Sequence, residues 1–240
     1  MLFRSDYVTR ARSALRDDVF RELYVVDEKN RLMGYLDISD VLRVIDTKSN
    51  VTLKGYIREA ARVTPDTPLT EVARAIMDAY TNSAAVVDEE GVLLGGVLFS
   101  ELFPVLISRH DIPGSRVEDA MSRDPVTCTP GDPLYRIYSL IVSSGFIAFP
   151  VVQKNEVIGI ISRRDLLRAG NVRISVKNQA DTTVDRVMTT PVITVTPDDP
   201  VATAARLMVN HDISILPVID ERKRLVGVID RHDVSSCLVP

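Results

Sequence analysis

Ser162 and Asp165, at the close of the run FPVVQKNEVIGIISRRDLL (residues 149–167), stand three residues apart with Arg163 and Arg164 between them. This is capping-box spacing, in which a hydroxyl and a carboxylate each hold a backbone N–H at a helix start, a cap being worth ~1 kcal/mol. Three more acids follow a glycine at the same distance of six residues: Asp40 after Gly34, Glu101 after Gly95 and Asp233 after Gly227, as Asp165 follows Gly159. Asp37 and Asp230 replace the serine in two of these copies and lean further towards caps, whereas Leu98 precedes Glu101.

No catalytic constellation accompanies them. His232 and Asp233 are adjacent and on a helix would point to different faces. His110, His211 and His232 are scattered and read as surface residues; a metal site would want them clustered with acids or cysteines. Gly91 to Gly96 lacks the Lys-Ser/Thr end of a phosphate loop and lies inside a hairpin pattern. The basic runs Arg10, Arg12 and Arg16, Arg163-Arg164, and Arg222-Lys223-Arg224 read as solvated surface, two of them at turn or helix ends where a polyanion could dock. The chemistry on offer is recognition rather than bond-making.

Placing these acids requires a strand, a tight turn, a second strand and a helix. Residues 150–152 and 157–161 are short β-branched runs around a polar turn at 153–156, a hairpin pattern, and Leu166-Leu167 continue the helix that Ser162 starts. Proline punctuation repeats as well: Pro130 to Pro150 and Pro197 to Pro217 are 20 residues apart, as are Pro65 and Ala85. Four copies therefore tile the chain, at 1–48, 51–108, 116–169 and 183–239, in two pairs, 1–108 and 116–240. In the first copy a helix is predicted over 5–18 with Val8, Ala11 and Leu15 inward, then strands at 23–26 and 32–36, and a last helix from Asp37. In the second, Thr67-Pro68 starts a helix over 69–80 with Val72, Ala73, Ile76 and Met77 on one face, ahead of strands at 84–87 and 92–98. Residues 109–115 form the predicted boundary between the pairs, and 171–181 a polar crossing between the last two copies. The lead-ins VEDAMSRDPVTCTPGDPL and VDRVMTTPVITVTPDDPV align in copies three and four, whereas copy one, counted back from Tyr24, begins beyond such a segment. The order βαββα with short connections implies an α/β layer fold.

At 240 residues, 45% hydrophobic and 26% charged, the chain has the composition of an ordinary globular protein. A net charge of −4 gives no global attraction to nucleic acid or an anionic membrane, so direct nucleic-acid contact is not favoured. Cys128 and Cys237 form no CxxC pair and suggest a reducing cytoplasm. No signal-peptide pattern and no membrane-length apolar run is present, so a cytoplasmic location is expected.

The stretches VMTTPVITVTPDDPV (187–201), ILPVID (215–220) and the ends VGVIDRHD and IGIISRRD resemble the cystathionine-beta-synthase (CBS) domain. The likeness covers essentially the whole chain, in the manner of archaeal four-repeat CBS proteins and, more distantly, the gamma subunit of AMP-activated protein kinase. It implies two pseudo-symmetric pairs, each a disc with two clefts that commonly bind adenosine-containing ligands, here AMP, ADP, ATP or an S-adenosyl compound. Each cleft would take the last-helix acid of one repeat and the lead-in and first hairpin strand of the other. Carried over, Ser162 and Asp165 would be joined by Thr183, Met188, Ile213 and Ser214. The carboxylate, an acceptor only, would take the ribose hydroxyls; Ser162 and the helix-start N–H groups would meet a phosphate, and Met188 and Ile213 would sandwich the adenine. A second cleft would combine Asp233 with Arg116, Met121, Phe146 and Ile147, where Asp230 replaces the usual Ser or Thr and weakens the hold on phosphate unless Arg116 or His232 rescues it. Asp37 repeats that substitution beside Asp40, a weaker site again, and the Glu101 cleft, short of both halves, is expected to be dead. On apolar character alone Met121 and Met188 read as core. Ile147-Ala148 and Ser214-Ile215 stand where kinase-type members carry basic residues, which argues against triphosphates unless Arg163, Arg164 or His211 substitutes.

The expectation is a non-enzymatic regulator, sensing an adenine nucleotide or adenosyl ligand and acting in trans on a protein or ribonucleoprotein partner. The alternative is a docking or inhibitory scaffold on an assembly such as ribosomal subunits, with ligand optional. Two discs facing each other within one chain, or pairing between chains as a homodimer, satisfy the repeat pattern equally.

Overall fold

The computed structural model describes residues 1–16, 21–44, 50–109, 114–144, 146–169 and 182–237. The chain divides into two compact units, Met1–Leu106 and Ile107–Leu238. The first unit contains β1 (Leu2–Phe3), α1 (Val8–Arg16), β2 (Glu22–Val26), β3 (Leu32–Asp37), α2 (Ile38–Leu42), β4 (Ala61–Val63), α3 (Leu69–Asp78), β5 (Ser83–Val87) and β6 (Leu93–Leu98). Helix α4 (Phe99–Arg109) carries the boundary in its last turn. The second unit contains α5 (Val117–Ala120), β7 (Ser122–Arg123), α6 (Leu134–Ser144), β8 (Ala148–Gln153), β9 (Glu156–Ser162), α7 (Arg163–Ala169), α8 (Val201–Asn210), β10 (Ile215–Ile219), β11 (Leu225–Asp230) and α9 (Arg231–Ser236).

Each repeat is built on an antiparallel hairpin: β2–β3, β5–β6, β8–β9 and β10–β11. Turn chemistry makes them. Asp27, Asp88 and Asp220 each accept two backbone N–H groups of their own turn, at 2.8–3.1 Å, while β8–β9 turns through Lys154 and Asn155, both at positive φ. In the first unit the two hairpins meet turn to turn, since Leu32 N–H donates to the Gly91 carbonyl and Leu93 N–H to that of Asn30, both at 2.9 Å. Leu32, Tyr35, Ala60, Ala85 and Val87 fill the core between them, with Tyr24 and Leu93 packed against it.

Several expectations shift. The first helix starts at Val8 rather than residue 5, because Tyr7 bridges to Thr52 and Asp6 accepts the Phe3 N–H at 2.8 Å, closing a turn; Val8, Ala11 and Leu15 are buried as expected. Helix α3 ends at Asp78, Tyr80 leaves it at φ 51°, and Met77 is only half-buried. Pro68 caps α3 without a side-chain bond, the Thr67 hydroxyl accepting the Thr64 N–H instead. Arg12 is not solvated surface: it is 4% exposed, and its Nη2 donates to the carbonyls of Val41, at 2.8 Å, and Val44, satisfying oxygens left over at the end of α2. His232 is half-buried, because α9 packs its first turn inward, while His211 is exposed. His110 and the crossing at 171–181 lie outside the described residues.

Candidate functional site

The second strand of every hairpin carries a glycine at one register, Gly34 opposite Val25, Gly95 opposite Val86, Gly159 opposite Val151 and Gly227 opposite Val218. Three of them are overlain by another backbone. A Cβ on Gly34 would meet the Arg58 carbonyl oxygen at 2.1 Å, one on Gly159 the Met188 Sδ at 2.9 Å and Thr189 oxygen at 3.0 Å, and one on Gly227 the Met121 Sδ at 2.7 Å and Ser122 oxygen at 2.9 Å. Each lead-in thus crosses to the sister repeat and pairs there. Tyr35 and Arg58 exchange N–H···O bonds of 2.9 Å, Ile160 and Thr189 bonds of 3.1 and 2.8 Å, and β7 pairs with β11. This crossing sets one repeat's lead-in beside the acid on the other's last helix.

Asp165, half-buried at the start of α7, forms the capping box. Ser162 N–H and Oγ–H donate to its Oδ2 at 2.7 and 2.6 Å, and Asp165 N–H donates to Ser162 Oγ at 3.3 Å. Both bonds the carboxylate accepts fall on Oδ2, leaving Oδ1 without a partner among the described residues. Asp165 lines a cavity of about 500 Å³ with Leu134 of α6, Arg168 and Ala169 of α7, and Thr182, Arg186 and Val187 of the fourth repeat's lead-in. The size suits a small-molecule site. An open carboxylate oxygen can accept from a diol, and guanidinium groups contributed by both repeats can take an anion. Thr183 and Met188 adjoin this wall: Thr183 bridges Pro133 and hydrogen-bonds to Asp185, while Met188 packs on Gly159. Ile213 and Ser214, half-buried before β10, stand apart from the cavity lining; Ile213 N–H donates to the Met208 carbonyl at 3.1 Å and the Ser214 carbonyl accepts from Arg231 N–H at 3.0 Å.

Around Asp233 the same box is built from two acids. Asp230 Oδ1 accepts the N–H groups of His232 and Asp233 at 2.8 and 2.9 Å, and Asp233 Oδ2 accepts the Asp230 N–H at 2.8 Å. Burial, and then the charge of Asp230, push the Asp233 carboxyl up to about 7. Arg116 is exposed and ion-paired with Asp198, Met121 is buried on Gly227, and Phe146 is exposed with its ring edge-on to Phe149 at 6.0 Å. The Ile147 carbonyl accepts the Arg163 N–H at 3.0 Å.

In the first unit Asp40 is occupied from within. Its Oδ2 accepts the Asp37 N–H at 3.0 Å, and its Oδ1 accepts from Arg58 Nε at 3.0 Å and Nη2 at 2.7 Å. Burial raises the Asp40 carboxyl against the pull of Arg58, and burial, then the charges of Glu22 and Asp37, push Tyr35 up to about 12. The guanidinium holds the acceptor that a ligand hydroxyl would need. Glu101, by contrast, is exposed.

Arg58, Arg168, Arg186 and Glu22 are marked as site residues by none of the motifs that the sequence repeats. Buried at the start of β2, Glu22 accepts Asn82 N–H at 2.7 Å, Asn82 Nδ2 at 3.1 Å and Ser83 Oγ–H at 2.7 Å, tying the two repeats together. Burial raises its carboxyl. A signal existed: the aligned positions in the other copies are Ser83, Ala148 and Ile215, so a charge there stands out.

The family comparison follows the same fourfold division. The CBS-domain model matches residues 2–47, 55–106, 117–171 and 184–239, and the chain belongs to the CBS-domain family. Protein MJ1225 of Methanocaldococcus jannaschii is 24% identical over 258 residues, covering 95% of this chain and 90% of its own. The crystal structure of MJ1225 matches at a TM-score of 0.85 and 21% identity over 98% of this chain and 94% of that one, a shared fold. Homoserine O-acetyltransferase of Methanococcoides burtonii is 32% identical over 123 residues, 51% of this chain but only 24% of the enzyme. The CBS domain pair of protein MJ0100, crystallised with 5′-methylthioadenosine and S-adenosyl-L-methionine, matches 52% of this chain at 26% identity and a TM-score of 0.43. Among the described residues no helix is long and apolar enough to cross a membrane, and no three His, Cys, Asp or Glu side chains group to hold a metal.

Proposed function

We propose that this protein is a non-enzymatic regulator that holds an adenine nucleotide or adenosyl compound in the Asp165 cleft and relays its occupancy to a partner. One observation carries the reading: of the four last-helix acids, Asp165 alone combines a hydroxyl cap, an open carboxylate oxygen and a cavity shared with arginines of both repeats. Asp40 is filled by Arg58, Asp233 has a second acid as its cap, and Glu101 is exposed. A bound ligand would tie α7 to the opposing lead-in and bias the orientation of the two repeats, with a coupling of ~1–3 kcal/mol.

Calorimetric titration with AMP, ADP, ATP and S-adenosylmethionine tests this, with Asp165→Ala as control. Saturable binding is expected, weakened roughly tenfold or more by loss of a charge-assisted contact of ~1.5–3 kcal/mol. Binding unchanged in the variant would remove the site, and no heat with any ligand would leave the docking-scaffold reading in its place.

A further inference from the structure

The glycine register that places three lead-ins leaves one strand uncovered among the described residues. Gly34, Gly159 and Gly227 each lie under the side chain of Ile57, Met188 or Met121, but a Cβ on Gly95 would meet nothing within 4 Å. One residue on, Tyr35 and Ile160 exchange both backbone hydrogen bonds with Arg58 and Thr189, and Val228 pairs with Ser122. Gly96 holds that position in β6, opposite Ala85 as Tyr35 is opposite Tyr24. Its inner side is packed by the Tyr24 ring, which a Cβ would meet at 2.6 Å, while no lead-in pairs with its edge among the described residues. Leu94 is 56% exposed, and Gly95 and Gly96 are exposed as well. An open strand edge with an apolar neighbour is a template for another chain.

We infer that the β6 edge is a docking site for an extended segment of a partner polypeptide that carries Ile or Met followed by Arg or Lys. The three internal pairings supply the pattern. Ile57-Arg58, Met121-Ser122 and Met188-Thr189 each lay an apolar side chain over the glycine and pair the next residue with the strand. In the first of these, Arg58 turns from the paired position to the acid of the last helix, Asp40. Glu101 holds the corresponding place beside β6, exposed and with no ion pair or hydrogen bond among the described residues. A basic residue after the apolar one would therefore find a carboxylate waiting. Main-chain hydrogen bonds would supply affinity, and the seat on Gly95 together with Glu101 would supply selectivity. The cleft that is unsuited to a nucleotide is the one left open to a peptide.

The test uses the full chain and a fluorescent peptide with the sequence of residues 55–61, GYIREAA. Saturable anisotropy is expected, together with slower hydrogen exchange across Leu93–Leu98 when peptide is present. Gly95→Val puts a side chain into the apolar seat at a position where a Cβ meets nothing within 4 Å among the described residues, so its melting temperature should stay that of the parent while affinity falls at least ~10-fold. Glu101→Lys should weaken this peptide similarly and strengthen one in which Asp replaces the arginine. The inference is overturned by no saturable signal up to about 1 mM peptide, by unchanged affinity in Gly95→Val, or by no reversal of charge preference in Glu101→Lys. Self-association of the protein that protects Leu93–Leu98 without peptide would also overturn it, making the occupant a second copy.

Discussion

Asp165 and Asp233 sit in the same backbone geometry, and the residue three positions earlier separates their chemistry. The Ser162 hydroxyl donates a hydrogen bond to its acid, whereas Asp230 adds a negative charge beside a buried carboxyl. With Asp233 pushed up to about 7 from its ordinary 3.8, the folded chain prefers it protonated. The stability this contributes is complete below the ordinary value and is lost as pH rises through about 7. Asp233→Asn keeps an oxygen for the Asp230 N–H and removes the charge. Its melting temperature should match the parent near pH 4 and exceed it near pH 8; a difference that does not grow with pH would rule out the carboxylate as its cause. Arg58→Ala leaves Asp40 buried without its counter-charge. A loss of about 1–3 kcal/mol in urea unfolding is expected, below the full value for a buried pair because the guanidinium is partly exposed. Part of it should return in the double variant with Asp40→Asn. The caps at 37/40, 162/165 and 230/233 were legible from spacing because a capping box is local. Arg58 was not, since its partner lies in another repeat and nothing local marks the pairing.

At the scale of elements, a lead-in is held by two paired residues and one apolar side chain on a glycine. At Gly34 the φ of 148° and the Arg58 oxygen both exclude a side chain, while Gly95 has neither constraint. Gly34→Ala should therefore destabilise the chain by about 1–3 kcal/mol in denaturant unfolding, and Gly95→Ala should fall within about 0.5 kcal/mol of the parent. Equal effects would mean that the crossing lead-in does not set the glycine. Hairpins were readable because their turns carry Asp, Asn and Gly between β-branched runs. Helix α1 starts at Val8, later than its local sequence predicts, because Tyr7 joins Thr52, far along the chain, in place of an earlier helical turn.

For the whole molecule, two compact units of two repeats each suggest two unfolding transitions. A ligand bound in the Asp165 cleft stabilises only the unit that holds it, by ~2.7 kcal/mol at a concentration 100 times its dissociation constant. Scanning calorimetry should show one transition moving up with added ligand and the other fixed; joint movement of both would place binding elsewhere. Repetition, the hairpins, the helix caps and the family likeness were settled by the order of amino acids alone, because each rests on interactions within a few residues that recur at fixed spacing. Only the tertiary structure decided that the lead-ins cross between sister repeats, that Arg58 fills the Asp40 site, that Arg12 is buried and that β6 has no lead-in on its edge among the described residues. Those outcomes depend on which distant backbones pair, and the free energy of that pairing is shared among residues whose own neighbourhoods in the chain give no sign of it.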